Sequence, residues 1–134
     1  VVIIDASAVA RNLLSTIIYN GGHEVVGESN TTTAGVGKMI RLKPQLVCVD
    51  IGMADSEGLA LLDTLRSELP KSLIFLMSGA IDANMVKIAQ ERGVHGFIVK
   101  PFNEMTVIMT IRNTIIKIAK AQQVKPEADS AAPA

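Results

Sequence analysis

The chain has 134 residues, enough to enclose a single hydrophobic core and too few for two ordinary ones. Its 13 basic and 13 acidic residues cancel, so no net field favours nucleic acid or an anionic membrane surface, and a partner must be met through a local patch. Hydrophobic residues make up 49% but aromatics only 3%, which leaves a core of Val, Ile, Leu, Met and Ala, suited to buried parallel strands flanked by helices.

No apolar run approaches the roughly 20 residues of a bilayer span, and residues 1–4 are too short for a signal-peptide core. A soluble cytoplasmic protein is expected. The single Cys48 excludes a disulfide framework and sits in the apolar run Leu46–Val49, where a buried small hydrophobe is expected. Val1 opens directly in a strand without an initiator Met, as expected of a piece trimmed from a longer chain.

Short apolar runs alternate with longer segments of helical period, five times over. Residues 1–4 predict the first strand. Residues 8–19 predict a helix with Val9, Leu13, Ile17 and Leu14, Ile18 on adjoining faces, ended by Asn20-Gly21-Gly22. The more polar 24–28 predict an edge strand, and Thr31 to Thr33 offer caps for a helix reaching Leu42, with Pro44 as the stop. Residues 46–49 predict strand three. The turn-rich 52–58 lead into a helix carrying Leu59, Leu62, Leu65 and Leu69, closed by Pro70. Residues 73–77 predict strand four, 83–92 a helix capped by Gly93, and 97–99 strand five. A final helix is expected from Asn103 to Gln122, giving a folded domain over 1–122 and a disordered tail or linker start over 123–134.

Each buried strand is followed at once by a residue capable of phosphate or metal chemistry: Asp5, Asp50, Ser78 and Lys100. In a parallel sheet the C-terminal strand ends share one edge, and right-handed crossovers would gather these four there. Two carboxylates, a hydroxyl and an ammonium are what a phosphoryl acceptor needs around it. One carboxylate takes the group, a divalent cation on carboxylate and carbonyl oxygens offsets its charge, and the hydroxyl and ammonium hold the outer oxygens.

These motifs resemble the receiver domains of response regulators, the chemotaxis receivers among them, over about residues 1–121. Residues 46–58 are similar to the family's phosphoacceptor strand and loop, Ser78-Gly79 to its hydroxyl and small-residue pair, and Lys100-Pro101-Phe102 to its lysine motif. The resemblance implies a flavodoxin-like, doubly wound α/β fold, with a five-stranded parallel sheet of order 2-1-3-4-5 and five helices. It implies phosphorylation of Asp50, assisted by Ser78 and Lys100, with Mg²⁺ held by Asp5, Asp50 and the Gly52 carbonyl. It further implies a cis Lys100-Pro101 bond and joint movement of Ser78 and Phe97 on phosphorylation. The implied partner is a histidine kinase or phosphotransfer protein, and the only chemistry is self-directed phosphoryl transfer and hydrolysis.

The family's strand one ends in two adjacent acids, whereas this chain has Asp5-Ala6. Weak Mg²⁺ binding and slow phosphorylation are expected from that loss. The alternative is a pseudo-receiver acting as an interaction or dimerisation module without phosphate. Ala54 stands in place of the customary Pro, and Gly52 and Ala80 occupy positions flanking the acceptor without a side chain able to place a water. A nucleotide-binding enzyme of the same architecture would want a Gly-rich loop after strand one, which Asp5-Ala6-Ser7-Ala8 is not.

His23 and His95 fall in turns before strands and are expected to be solvated, away from the pocket. Met39, Met77 and Met85 are expected to fill core gaps. On the last helix Val107, Ile111, Ile115 and Ile118 predict a buried stripe, while Ile108, Met109 and Ile116 widen it beyond one face. With strand five, that helix is the implied homodimer or output surface. No recognition helix or zinc motif follows, so no nucleic-acid binding by this domain is expected.

Overall fold

The computed structural model describes residues 1–131, with side chains described to Gln122. Five strands and five helices alternate along the chain: β1 Val2–Ile4, α1 Ala8–Asn20, β2 Gly27–Ser29, α2 Thr33–Arg41, β3 Leu46–Val49, α3 Ser56–Glu68, β4 Leu73–Ser78, α4 Ala83–Glu91, β5 Gly96–Val99 and α5 Glu104–Ala131. All strand pairings are parallel, in the order β2-β1-β3-β4-β5. The expected doubly wound sheet is therefore the observed one.

Side chains alternate along each strand, so the sheet divides the core into two clusters. Val2, Ile4, Val47, Val49, Ile74 and Leu76 face the helices that contribute Val36, Met39, Leu62, Leu65 and Ala89. Ile3, Cys48, Phe75, Met77 and Ile98 face the other way, against Leu14, Ile17 and Ile18 of α1 and Val107 and Ile111 of α5. Burial on both sides explains why β1, β3 and β4 read as unbroken apolar runs. Cys48 lies fully inside, and burial pushes its thiol up to about 12. Met39 and Met77 are buried and Met85 packs against the first cluster, as expected.

Several boundaries and faces differ from the sequence expectation. β2 is Gly27–Ser29, not 24–28, because Val2 pairs with Gly27, while Glu24 and Val26 make only single backbone bonds to Val1. α3 starts earlier than the Leu stripe suggests, since the Asp55 carboxylate caps Gly58 N at 2.9 Å. On α1, Val9 is 78% and Leu13 50% exposed. The buried arc passes through Leu14, Ile17 and Ile18, and Leu13 lies about 100° around the helix from Leu14. α5 extends past the end expected at Gln122, to Ala131. Of the expected tail, residues 132–134 lie outside the described residues.

Like His23, His95 is half-buried rather than solvated. Its backbone N–H donates to Ile74 O at 2.8 Å, and Ile74 N–H donates to its Nδ1 at 3.1 Å, so the ring supplies the acceptor that would otherwise be a backbone carbonyl. An acceptor Nδ1 must be unprotonated. Burial, and then the Arg66 charge, accordingly lower the His95 pKa. Between the folded and unfolded values the unfolded chain holds more protons, so stability falls as pH drops below about 6.5. Urea unfolding at about pH 7.5 and about pH 5.5 should show that loss in the wild type and a flatter profile in His95→Asn, whose Oδ1 accepts without titrating. Equal slopes would remove His95 as the cause.

Candidate functional site

Because the strands are parallel, the residues following them meet at one edge. The ladder runs one residue past each strand end: Asp5 N donates to Ser29 O at 3.0 Å, Asp50 N to Ile4 O at 2.9 Å and Lys100 N to Ser78 O at 2.9 Å. Backbone bonds thus fix where the four expected residues begin. The Lys100-Pro101 bond is cis, as the resemblance implied.

Three of the four side chains are in direct contact. Lys100 Nζ donates to Asp5 Oδ2 and to Asp50 Oδ2, each at 2.6 Å. The side chains are 22% exposed for Lys100, 4% for Asp5 and 17% for Asp50, so these are charge-assisted bonds with little water between them. Burial alone would lower the Lys100 pKa, but its bonds to Asp5 and Asp50, together with their charges, outweigh it and leave the ammonium above the ordinary lysine value. The same Nζ lies 5.9 Å from the centroid of the Phe102 ring, a further contact that suits a cation.

The outer carboxylate oxygens are held by the turns. Asp5 Oδ1 accepts from Ser7 N at 2.8 Å, and Asp50 Oδ1 accepts from Gly52 N at 2.7 Å. Gly52 has φ of +77°, the left-handed conformation in which a Cβ is costly. Ser7 also caps α1 by accepting from Ala10 N at 3.2 Å. Each carboxylate oxygen still has a second lone pair after these bonds.

Ser78 reaches the same edge but not the same network. It is buried, and its Oγ accepts from Ala80 N at 3.0 Å. Phe97 is half-buried and packs against the first core cluster, paired in register with Leu76. His23 and His95 stand apart from the site, at the opposite ends of β2 and β5.

One participant escaped the sequence reading. Arg11 of α1 donates from Nη1 to the Asp5 backbone oxygen at 2.6 Å, and its Nε lies 3.6 Å from Glu28 Oε1. A clue lies in its position four residues after the cap Ser7, because helical side chains lean back toward the N-terminus. Its company was tertiary and so invisible.

Among the described residues, no group of three or more His, Cys, Asp or Glu is placed to hold a metal ion. The two carboxylates Asp5 and Asp50, bridged by Lys100 at 2.6 Å each, suit a Mg²⁺ ion that keeps several waters, since that ion is commonly held by one or two carboxylates plus phosphate oxygens. Ala6 is exposed at the position where a third acid would stand. The site is thus an acidic pair closed by one ammonium.

Residues 1–112 match the family model described as response regulator receiver domain. The chain is 34% identical to chemotaxis protein CheY of Thermotoga maritima over 81% of its own length and 90% of the relative's. It is 30% identical to chemotaxis protein CheY of Bacillus subtilis over 86% of its length and 96% of the relative's. Among solved structures, NtrX from Brucella abortus superposes with a TM-score of 0.79 at 25% identity, covering 93% of this chain but 28% of that longer one.

Proposed function

The chain belongs to the response regulator receiver domain family, and from that premise we propose that it takes a phosphoryl group on Asp50 from a histidine kinase or phosphotransfer protein. The observation carrying this reading is the Lys100 ammonium bonded to both Asp5 and Asp50. An Asp50 oxygen attacks the phosphorus of a phosphohistidine, the P–N bond breaks, and the imidazole leaves with the pair of electrons and takes up a proton. Lys100 moves from Asp50 Oδ2 to a phosphoryl oxygen, and the Ser78 hydroxyl turns from Ala80 N to another.

Asp5, Asp50 and the Gly52 carbonyl would hold Mg²⁺, which when bound offsets the charge of the transferring group. The chemistry is self-directed, ending in hydrolysis of the acyl phosphate, and no other substrate is turned over. Movement of Ser78 and of Phe97 carries the change toward β5 and α5. There Met105 is 73%, Met109 44% and Ile116 40% exposed, a strip suited to an output partner or a second copy. The receiver unit is taken as residues 1–122, with α5 continuing beyond it to Ala131. No helix among the described residues is long and apolar enough to cross a membrane, in keeping with a cytoplasmic signalling role.

Incubation with a small phosphodonor and Mg²⁺, read by intact mass, should add one phosphate to the wild type and none to Asp50→Asn. An unmodified wild type with its partner binding intact would instead identify an interaction module that works without phosphate.

A further inference from the structure

Asp5 is held at every polar atom. Its N–H donates to Ser29 O, its carboxylate takes Ser7 N and Lys100 Nζ, and its carbonyl takes Arg11 Nη1 at 2.6 Å. The first three contacts come from the sheet, the turn and the site. The fourth comes from the second turn of α1, through a guanidinium that is also within 3.6 Å of Glu28 on β2. The Arg11 side chain is largely enclosed, and its own backbone N–H closes the first helical bond to Ser7 O at 3.0 Å. Guanidinium is planar and donates in two directions at fixed angles, so Arg11 spans β2 and the β1–α1 turn and fixes the plane of the peptide between Asp5 and Ala6.

That peptide is where this chain lacks its second acid. With Ala6 contributing no oxygen, Asp5 is the one carboxylate that the β1 end brings to the pocket. Its aim therefore decides how well a cation can be shared with Asp50. We propose that Arg11 is a positioning residue for the divalent-cation site, acting through the Asp5 carbonyl to hold the Asp5 carboxylate in place. The inference rests on reading the pocket as a Mg²⁺ site, and it extends that reading to a residue outside the pocket.

Charge and positioning predict opposite signs here. A guanidinium bonded to the Asp5 backbone oxygen repels a cation bound beside it, so if Arg11 acted by charge alone, Arg11→Gln would bind Mg²⁺ more tightly. If it positions Asp5, the same change weakens binding. Titration of ¹⁵N-labelled protein with MgCl₂, followed at the Ser7 and Gly52 amides, should give a dissociation constant raised about tenfold in Arg11→Gln, the lower end of losses seen for residues that orient metal ligands. Arg11→Lys keeps the charge but not the fork, and should still bind about threefold more weakly than wild type. It also carries the test if the Gln variant does not fold.

Tighter binding in Arg11→Gln, or constants equal to wild type in both variants while the thermal midpoint falls, overturns the proposal. A wild type whose amides do not respond to Mg²⁺ overturns it together with the metal reading. Because binding is measured directly, a wild type that binds Mg²⁺ yet takes no phosphate counts against phosphorylation of Asp50 and not against the role of Arg11.

Discussion

Lys100→Met is expected to destabilise the domain by about 2–3 kcal/mol near neutral pH and to abolish efficient phosphorylation. Both Asp5 Oδ2 and Asp50 Oδ2 touch one nitrogen at 2.6 Å, so they lie no further apart than twice that distance. Two carboxylates separated by about 5 Å repel by about 3 kcal/mol at an effective dielectric of 20. In the wild type the ammonium between them cancels this. Methionine fills similar space and cancels nothing, although partial exposure of Asp50 keeps the loss below that of a fully buried pair.

The pH profile identifies the cause. In the variant the two carboxylates face each other without the ammonium between them, and the loss is the repulsion of two like charges. At the alkaline end the raised pKa of Lys100 means that the wild-type contribution is complete below about 10.4 and disappears as the ammonium titrates above it. Urea unfolding across pH should therefore show a loss that is present at neutrality and narrows above about 10.4. Adding Asp50→Asn to Lys100→Met removes one of the two like charges and should restore most of the loss. A deficit that is flat across pH, or a double variant no better than the single one, would point to lost packing instead.

The contrast between Lys100 and Arg11 shows how far the sequence could be read. Lys100, Asp50 and Asp5 each follow a run of apolar residues, and in a parallel sheet that local fact fixes a shared edge, so their meeting was legible before any coordinates. Arg11 is recruited by a carbonyl six residues back and a glutamate on another strand, and helical period says nothing of either. The same division runs through the fold. β1, β3 and β4 are buried on both faces and announce themselves by composition. β2 is an edge strand whose polar sequence carries little register, so its bounds moved to 27–29. α1 showed two adjoining apolar faces, but only one fits the sheet, and nothing local decides that Val9 and Leu13 stay outside. His95 looked like a turn residue because its partner, Ile74 N, comes from a strand that the chain reaches 21 residues earlier.

Ala6→Asp is expected to tighten Mg²⁺ about 10- to 100-fold, the range by which a change in a metal's ligand shell usually moves affinity. The new carboxylate would follow Asp5 directly, at an exposed position beside the acidic pair, and would add a third anionic oxygen donor to a site that otherwise relies on water. The same charge carries a cost without metal. Lys100 already shares one ammonium between two carboxylates, and a third would be unopposed apart from Arg11, so the variant should unfold more easily than wild type in EDTA. Added Mg²⁺ reverses the order, because an ion bound only by the folded state stabilises by about 1.4 kcal/mol when present at ten times its dissociation constant. Thermal midpoints with EDTA and with a series of Mg²⁺ concentrations should therefore cross between the two proteins. Parallel curves would mean that Ala6 does not face the cation, and the slow phosphorylation expected of this chain would then need another cause, with the Lys100 bridge across Asp5 and Asp50 the first to test, since a cation and that ammonium compete for the same oxygens.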